Sequence, residues 1–367
     1  MKLFSLWLAL LLPVAAFSWG GRAHHSICEA AVFLVKEPGL KNYLQSRPQI
    51  MGHLCNIPDT YWRSLGSEVG KQGNSTHFID TEFLGIKTQE IPLDYQKIIS
   101  KYTGKENAFN GKTLYSIPLE FGSNWWRADQ FFRRAVNMSK DWKKAPAPAN
   151  SKEEQDDNHP FNKMAFDFFV NLGLMGHFVA DNGQPFHLTA DYDGYKAGHG
   201  GIHAFYEDTV VGALPFHLTT MVVEEGLRLQ KLAESKNKEE QKQVQFLREK
   251  TVLEKMRTLG QAAFDEIPAV LALDPVKKPS VDKNEKGMSL RTPAEREPAE
   301  TVAAKYEKLV VSQLARSSAL LAQLWDEAYV KVGRPKLASY KSYRYPHTPD
   351  FVPPDYFDLK LLEKKTP

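Results

Sequence analysis

Apolar residues recur at helical spacing through most of the chain. Over 165–187, AFDFFVNLGLMGHFVADNGQPFH, the residues Phe166, Phe169, Val170, Leu174, His177 and Asp181 fall on one stripe, because positions three and four apart share a helix face. Asn182-Gly183 then predicts a helix stop in the left-handed conformation, and Pro185 blocks continuation. An earlier stripe of His24, Ile27, Cys28, Ala31, Leu34 and Val35 predicts a helix near the start. The run GSNWWRADQFFRRAVNMSKDWKK predicts an amphipathic helix whose Trp125, Trp126, Phe131 and Phe132 face the core. From Leu218 to Leu273 the pattern stays helical, with a charged middle that reads as a solvated face, and a last helix is expected over 302–332.

Other stretches break this period. NSTHFIDTEF reads as extended, with His77 and Ile79 on one side and Phe78 and Asp80 on the other. Residues 85–120 are loop-rich, and APAPANSKEEQDDNHP is a solvated loop before the 165–187 helix. Residues 275–300 form a linker or an inserted loop. Residues 334–367 form a Pro/Tyr-rich tail that lies extended over the body or is disordered.

The first residues, MKLFSLWLALLLPVAAFS, place a lysine before an apolar run and end on a small-x-small triplet. That order predicts a signal peptide over 1–18, cleaved to expose Trp19, and a secreted or periplasmic product. No later segment is apolar enough to span a membrane. With 42% hydrophobic and 25% charged residues among 367, the chain is globular rather than disordered. A net charge of +3 gives no reason to expect polyanion binding by bulk charge. Two cysteines, Cys28 and Cys55, can form one disulfide in an exported protein but no cysteine-rich scaffold.

The chemistry lies in where polar residues interrupt apolar faces. A carboxylate on the buried stripe at Asp181 is costly unless something positive meets it. His177, Asp181 and His187 in the spacing His-x3-Asp-x5-His suit a zinc site; two core histidines and a capping Asp are the alternative. His24 sits at the edge of an apolar face, close to a Trp19 amine that could chelate a metal together with its own carbonyl. Asp59 after Pro58 is a helix N-cap or a ligand. His203 and Glu207 stand four apart after a glycine-rich loop, as a surface pair or a second metal site.

Taken in order, Trp-Gly-x3-His, PD-x-Y, HFID, GHFVADNGQPFH and His-x3-Glu after Gly-Gly resemble the zinc-dependent single-strand nucleases and zinc phospholipases C, over 19–333. The resemblance implies an all-α fold in a single compact multi-helix domain, which agrees with the apolar pattern. It implies three Zn2+: one held by Asp59, His77, His177 and Asp181; one by His187, His203 and Glu207; and one by Trp19, His24 and the bridging Asp181. It further implies hydrolysis of a phosphodiester by a metal-activated hydroxide that Asp59 orients. Phe78 and Asp80 match the base-holding positions of the nucleases. Their phosphate-steadying Arg stands three residues after the Asp matching Asp59; here Trp62 is there and Arg63 follows. Either the helix shifts register or that role is lost. Glu207 stands where the nucleases usually carry Asp and the phospholipases Glu. The leading expectation is a monomeric single-strand endonuclease or 3′-nucleotidase acting on single-stranded nucleic acid or nucleotides. The alternatives are a phospholipase C acting on phospholipid head groups and a non-catalytic metal-binding protein on the same scaffold. If Cys28 and Cys55 both reach the metals, they can pair.

Overall fold

A computed structural model describes residues 20–285, 288–342 and 348–363. Trp19 and the expected signal peptide lie outside the described residues. The chain is mainly helical. Its principal helices are α1 (Gly21–Leu34), α2 (Pro48–Asn56), α3 (Asn124–Asn137), α4 (Pro160–Asn182), α5 (Leu218–Glu234), α6 (Val252–Phe264) and α7 (Ala299–Lys331).

Helix α4 is the centre of the molecule. Pro160 occupies its first turn, where a missing N–H costs nothing. Every residue from Phe168 to Asn182 is buried. The expected single stripe therefore widens to the whole circumference, the condition of a helix packed on all sides. Around it stand α3, α2, α7, α1 and α6, and α5 closes the far side of α1 and α7. The four aromatic residues expected in the core of α3 are all buried. Helix α6 begins at a capping box, in which Thr251 Oγ1 accepts from Glu254 N while Glu254 accepts from Thr251 N. In the charged stretch that runs from the end of α5 into α6, Lys255 departs from the expected solvated face: it is buried and paired with Glu327.

Three local expectations change. Helix α4 does end at Asn182, but Gly183 has φ −87°, so no left-handed residue is used. Glycine is needed there for space, since a Cβ would stand 2.0 Å from Ser317 Oγ on α7. The loop-rich 85–120 stretch contains a helix, Tyr95–Tyr102, whose cap Asp94 accepts from Gln96 N. Segment 275–300 adds short strands to an otherwise helical chain: β1 (Val276–Lys278), β2 (Val281–Glu285), β3 (Met288–Thr292) and β4 (Glu295–Arg296). Strand β1 pairs antiparallel with β4 and β2 with β3. Prolines 275, 279, 293 and 298 prevent a helix from running through it.

The described parts of the tail lie against the body. Tyr340, Phe357 and Leu362 are buried, Trp62 Nε1 donates to Pro349 O at 2.9 Å, and Gln130 Nε2 donates to Pro353 O at 2.7 Å. No described helix is long and apolar enough to cross a membrane.

Candidate metal centre

Six segments bring the candidate ligands to the C-terminal end of α4. His24 projects from the first turns of α1 and is fully buried. Asp59 lies in a π-helical turn, Pro58–Trp62, in which Trp62 N donates back to Ile57 O at 3.1 Å. His77 opens an extended segment held by Ile79 N to His187 O and Asp80 N to Phe121 O, both 2.9 Å. That segment alternates as its sequence suggests, with His77 and Ile79 buried and Phe78 and Asp80 half-buried. Helix α4 supplies His177 and Asp181, one turn apart. A 3-10 turn, Pro185–Leu188, supplies His187, and a second π-helical turn, Phe205–Val210, follows His203 and supplies Glu207.

These side chains converge into two neighbouring sets. In the first, Asp181 Oδ2 lies 3.0 Å from His77 Nδ1 and 3.2 Å from His177 Nε2. Asp181 Oδ1 lies 3.3 Å from His24 Nε2, which is also 3.7 Å from Asp59 Oδ2. Asp59 Oδ1 stands 3.6 Å from His77 Nδ1. Asp181 thus turns Oδ1 to His24 and Oδ2 to His77 and His177, and the His24 and His177 rings stack at 4.2 Å between centroids. In the second set His203 Nε2 is 3.1 Å from His187 Nε2 and 2.8 Å from Glu207 Oε2. Among the described residues, three buried groups have ligand atoms close enough to share an ion: His24, Asp59 and His177; His77, His177 and Asp181; and His187, His203 and Glu207.

Tautomers decide what these groups can hold. His177 Nδ1 faces the carbonyl of Cys55 at 2.7 Å, and His187 Nδ1 faces the carbonyl of His77 at 2.7 Å. A carbonyl only accepts, so both Nδ1 atoms carry the proton and both Nε2 atoms offer lone pairs into the clusters. Outer hydrogen bonds of this kind set metal-binding histidines. Burial pushes His77 and His203 down to about 4, so neither supplies positive charge at neutral pH. Burial also pushes the Glu207 carboxyl well up, with His187 and Gln184 opposing, and its Oε1 accepts no hydrogen bond among the described residues. The Asp181 carboxyl is held well below the usual range, against burial, when the His177 and His187 rings are protonated; with those rings neutral, a bound cation would take over that role. Lone pairs and carboxylates facing one another in a dry interior call for a cation between them. An all-nitrogen-and-oxygen set of imidazoles and carboxylates suits a divalent metal ion.

The remaining site residues lie close by. Arg63 Nη2 donates to Asp59 Oδ1 at 2.8 Å. The turn over Pro58–Trp62 is π-helical, and Arg63, which follows it, faces Asp59. Burial, with Glu82 nearby, pushes the Asp80 carboxyl well up. Cys28 and Cys55 are joined by a disulfide linking α1 to the end of α2. That linkage lies beside the Cys55 carbonyl that holds His177. Gly20, the first described residue, is buried and donates to Glu207 O at 3.3 Å.

Two participants went unnoticed in the sequence. Gln184 Nε2 donates to Glu207 Oε2 at 2.8 Å; its place between Asp181 and His187 was the available signal. Tyr192, 44% exposed, sets its ring edge-on to His203 at 5.7 Å between centroids, and nothing in its surroundings marked it. The chain matches no protein-family model and no curated protein.

Proposed function

We propose that the chain is a zinc-dependent phosphodiesterase, acting first on single-stranded nucleic acid or 3′-nucleotides. The observation that carries the reading is the convergence of carbonyl-fixed imidazoles with Asp59, Asp181 and Glu207 in one buried region. His77, His177, Asp59 and Asp181 would hold one zinc; His187, His203 and Glu207 a second; His24 and Asp181 a third, with the Trp19 terminus. Zinc held there would supply hydroxide at neutral pH and positive charge against the developing charge on phosphorus. The chain's own residues do the rest. Asp59, gripped by Arg63, orients the attacking water. Arg63 would offer its guanidinium to a phosphate oxygen. Phe78 and Asp80 stand on the open side of the His77 segment, where an unpaired base can stack and hydrogen-bond. A role as phospholipase C is the second reading, favoured by Glu207 in place of Asp.

The deciding experiment measures zinc in the purified mature protein and assays single-stranded nucleic acid, 3′-AMP and phosphatidylcholine side by side, with and without chelator. Three zinc ions per chain and chelator-sensitive hydrolysis of the first two substrates are expected. Hydrolysis of lipid alone would transfer the assignment to the phospholipase, and zinc without any hydrolysis would leave a metal-binding protein.

A further inference from the structure

Segment 274–297 is tied to the glycine-rich loop before His203 more closely than a linker needs to be. Its neck is closed by pairing of Val276 with Arg296 and by Glu297 N donating to Pro275 O at 3.1 Å. At that neck Arg296 makes five hydrogen bonds, as many as a guanidinium has N–H groups. Nε and Nη2 fork onto Asp274 at 2.7 and 3.0 Å, and the Asp274 side chain is fully buried. Nη1 donates to Gly200 O at 3.0 Å and to Ala294 O at 3.3 Å, and Nη2 also donates to His199 O. His199 Nδ1 in turn meets Asp274 Oδ2 at 2.8 Å, and the guanidinium lies 5.1 Å over the Phe205 ring.

The backbone adds to the clamp. Ser280 N donates to Gly198 O and Ala294 N to Gly200 O, both at 2.9 Å, while Gly200 N donates to Ser280 Oγ at 2.8 Å. The approach is close enough that a Cβ on Gly200 would stand 2.7 Å from Ser280 Cβ and 2.5 Å from the Tyr195 ring. The loop is therefore held along 198–200 by the inserted segment. Three residues later comes His203, whose Nε2 must stay within 3.1 Å of His187 Nε2 and 2.8 Å of Glu207. A glycine-rich loop left to itself samples many backbone states, and each lowers the share of time in which His203 is in place.

We propose that Asp274 and Arg296 are positioning residues for the His187, His203 and Glu207 metal site, acting through loop 198–201. This rests on the zinc reading above. Lysine cannot replace Arg296, because it lacks the fork and two of the five donors. The test is competitive zinc titration of full-length mature protein against a chromophoric chelator, with His203→Ala as the reference that lacks one ligand. Arg296→Lys, which keeps the charge, and Asp274→Asn are each expected to weaken one zinc equivalent about 10- to 100-fold. It should be the equivalent that His203→Ala loses, with the others held as in the wild type. Unchanged affinity for every equivalent in both variants would overturn the positioning role, as would uniform weakening of all of them, the mark of general destabilisation. A wild-type chain that holds no zinc would instead remove the metal reading itself.

Discussion

Asp181 stands under the greatest electrostatic demand of any residue in the centre. Its carboxylate is fully buried, with His77, His177 and His24 nitrogens at 3.0, 3.2 and 3.3 Å. Asn in its place keeps the volume but removes the charge that two cations would share. Asp181→Asn should leave no more than the His187, His203 and Glu207 equivalent of zinc. Activity should fall by more than the roughly 100-fold cost of losing an outer partner. Elemental analysis and turnover measured together check this, and retention of full zinc content would contradict it. Phe78 is a different kind of residue: half-buried, beside the ligands but not among them. If it stacks a base, Phe78→Ala removes about 1–3 kcal/mol, or roughly 5- to 150-fold in kcat/KM on single-stranded nucleic acid. Zinc content and turnover of a substrate without a base should barely move. An equal loss on both substrates would remove the stacking role.

At the scale of elements, carboxylates on π-helical turns recur. Asp59 and Glu207 both sit in such turns, Pro58–Trp62 and Phe205–Val210. Such turns often mark functional sites because the widened backbone re-aims a side chain. The long periodic helices were legible in the sequence, since burial repeats every three to four residues over many turns. The widened turns were not, since one extra residue in a turn leaves no mark on so short a pattern. The helix stop at Gly183 was legible in place but not in cause. Its backbone angle suits any residue, and the constraint comes from Ser317 on α7, 134 positions away in sequence and invisible to local rules. Gly183→Ala is therefore expected to destabilise by overpacking, about 1–3 kcal/mol, read as a lower urea midpoint. In the double variant with Ser317→Ala part of that loss should return. A left-handed helix cap would give no such rescue.

At the scale of the whole molecule, the described part of the tail packs against α3. Arg127, fully buried, donates to Val352 O and lies 4.9 Å from the Phe131 centroid and 5.3 Å from that of Phe178, the neighbour of His177. Four residues further along the tail, Tyr356 OH pairs at 2.9 Å with Ser123 Oγ, which stands four residues before Arg127 where α3 begins. The next residue, Asn124, donates to Phe178 O at 3.0 Å and to His77 O at 3.4 Å, so the tail's anchor is one residue from the backbone of two ligand-bearing segments. Burial pushes the Tyr356 phenol up from 10.0 to about 12, with Arg127 opposing. Below pH 10 folded and unfolded chains both keep this proton. Between about 10 and 12 the unfolded chain sheds it while the folded chain retains it, so stability falls as pH rises, by roughly 3 kcal/mol in all. Tyr356→Phe loses the hydrogen bond, about 1 kcal/mol, but has no proton to lose. At pH 8 the variant should be the less stable protein. As pH climbs through 10 the difference should close and then reverse, in urea unfolding followed by tryptophan fluorescence. A difference that stays constant with pH would mean that the phenol is as hydrated in the folded chain as in the unfolded one, and that the tail does not seal the molecule at this point.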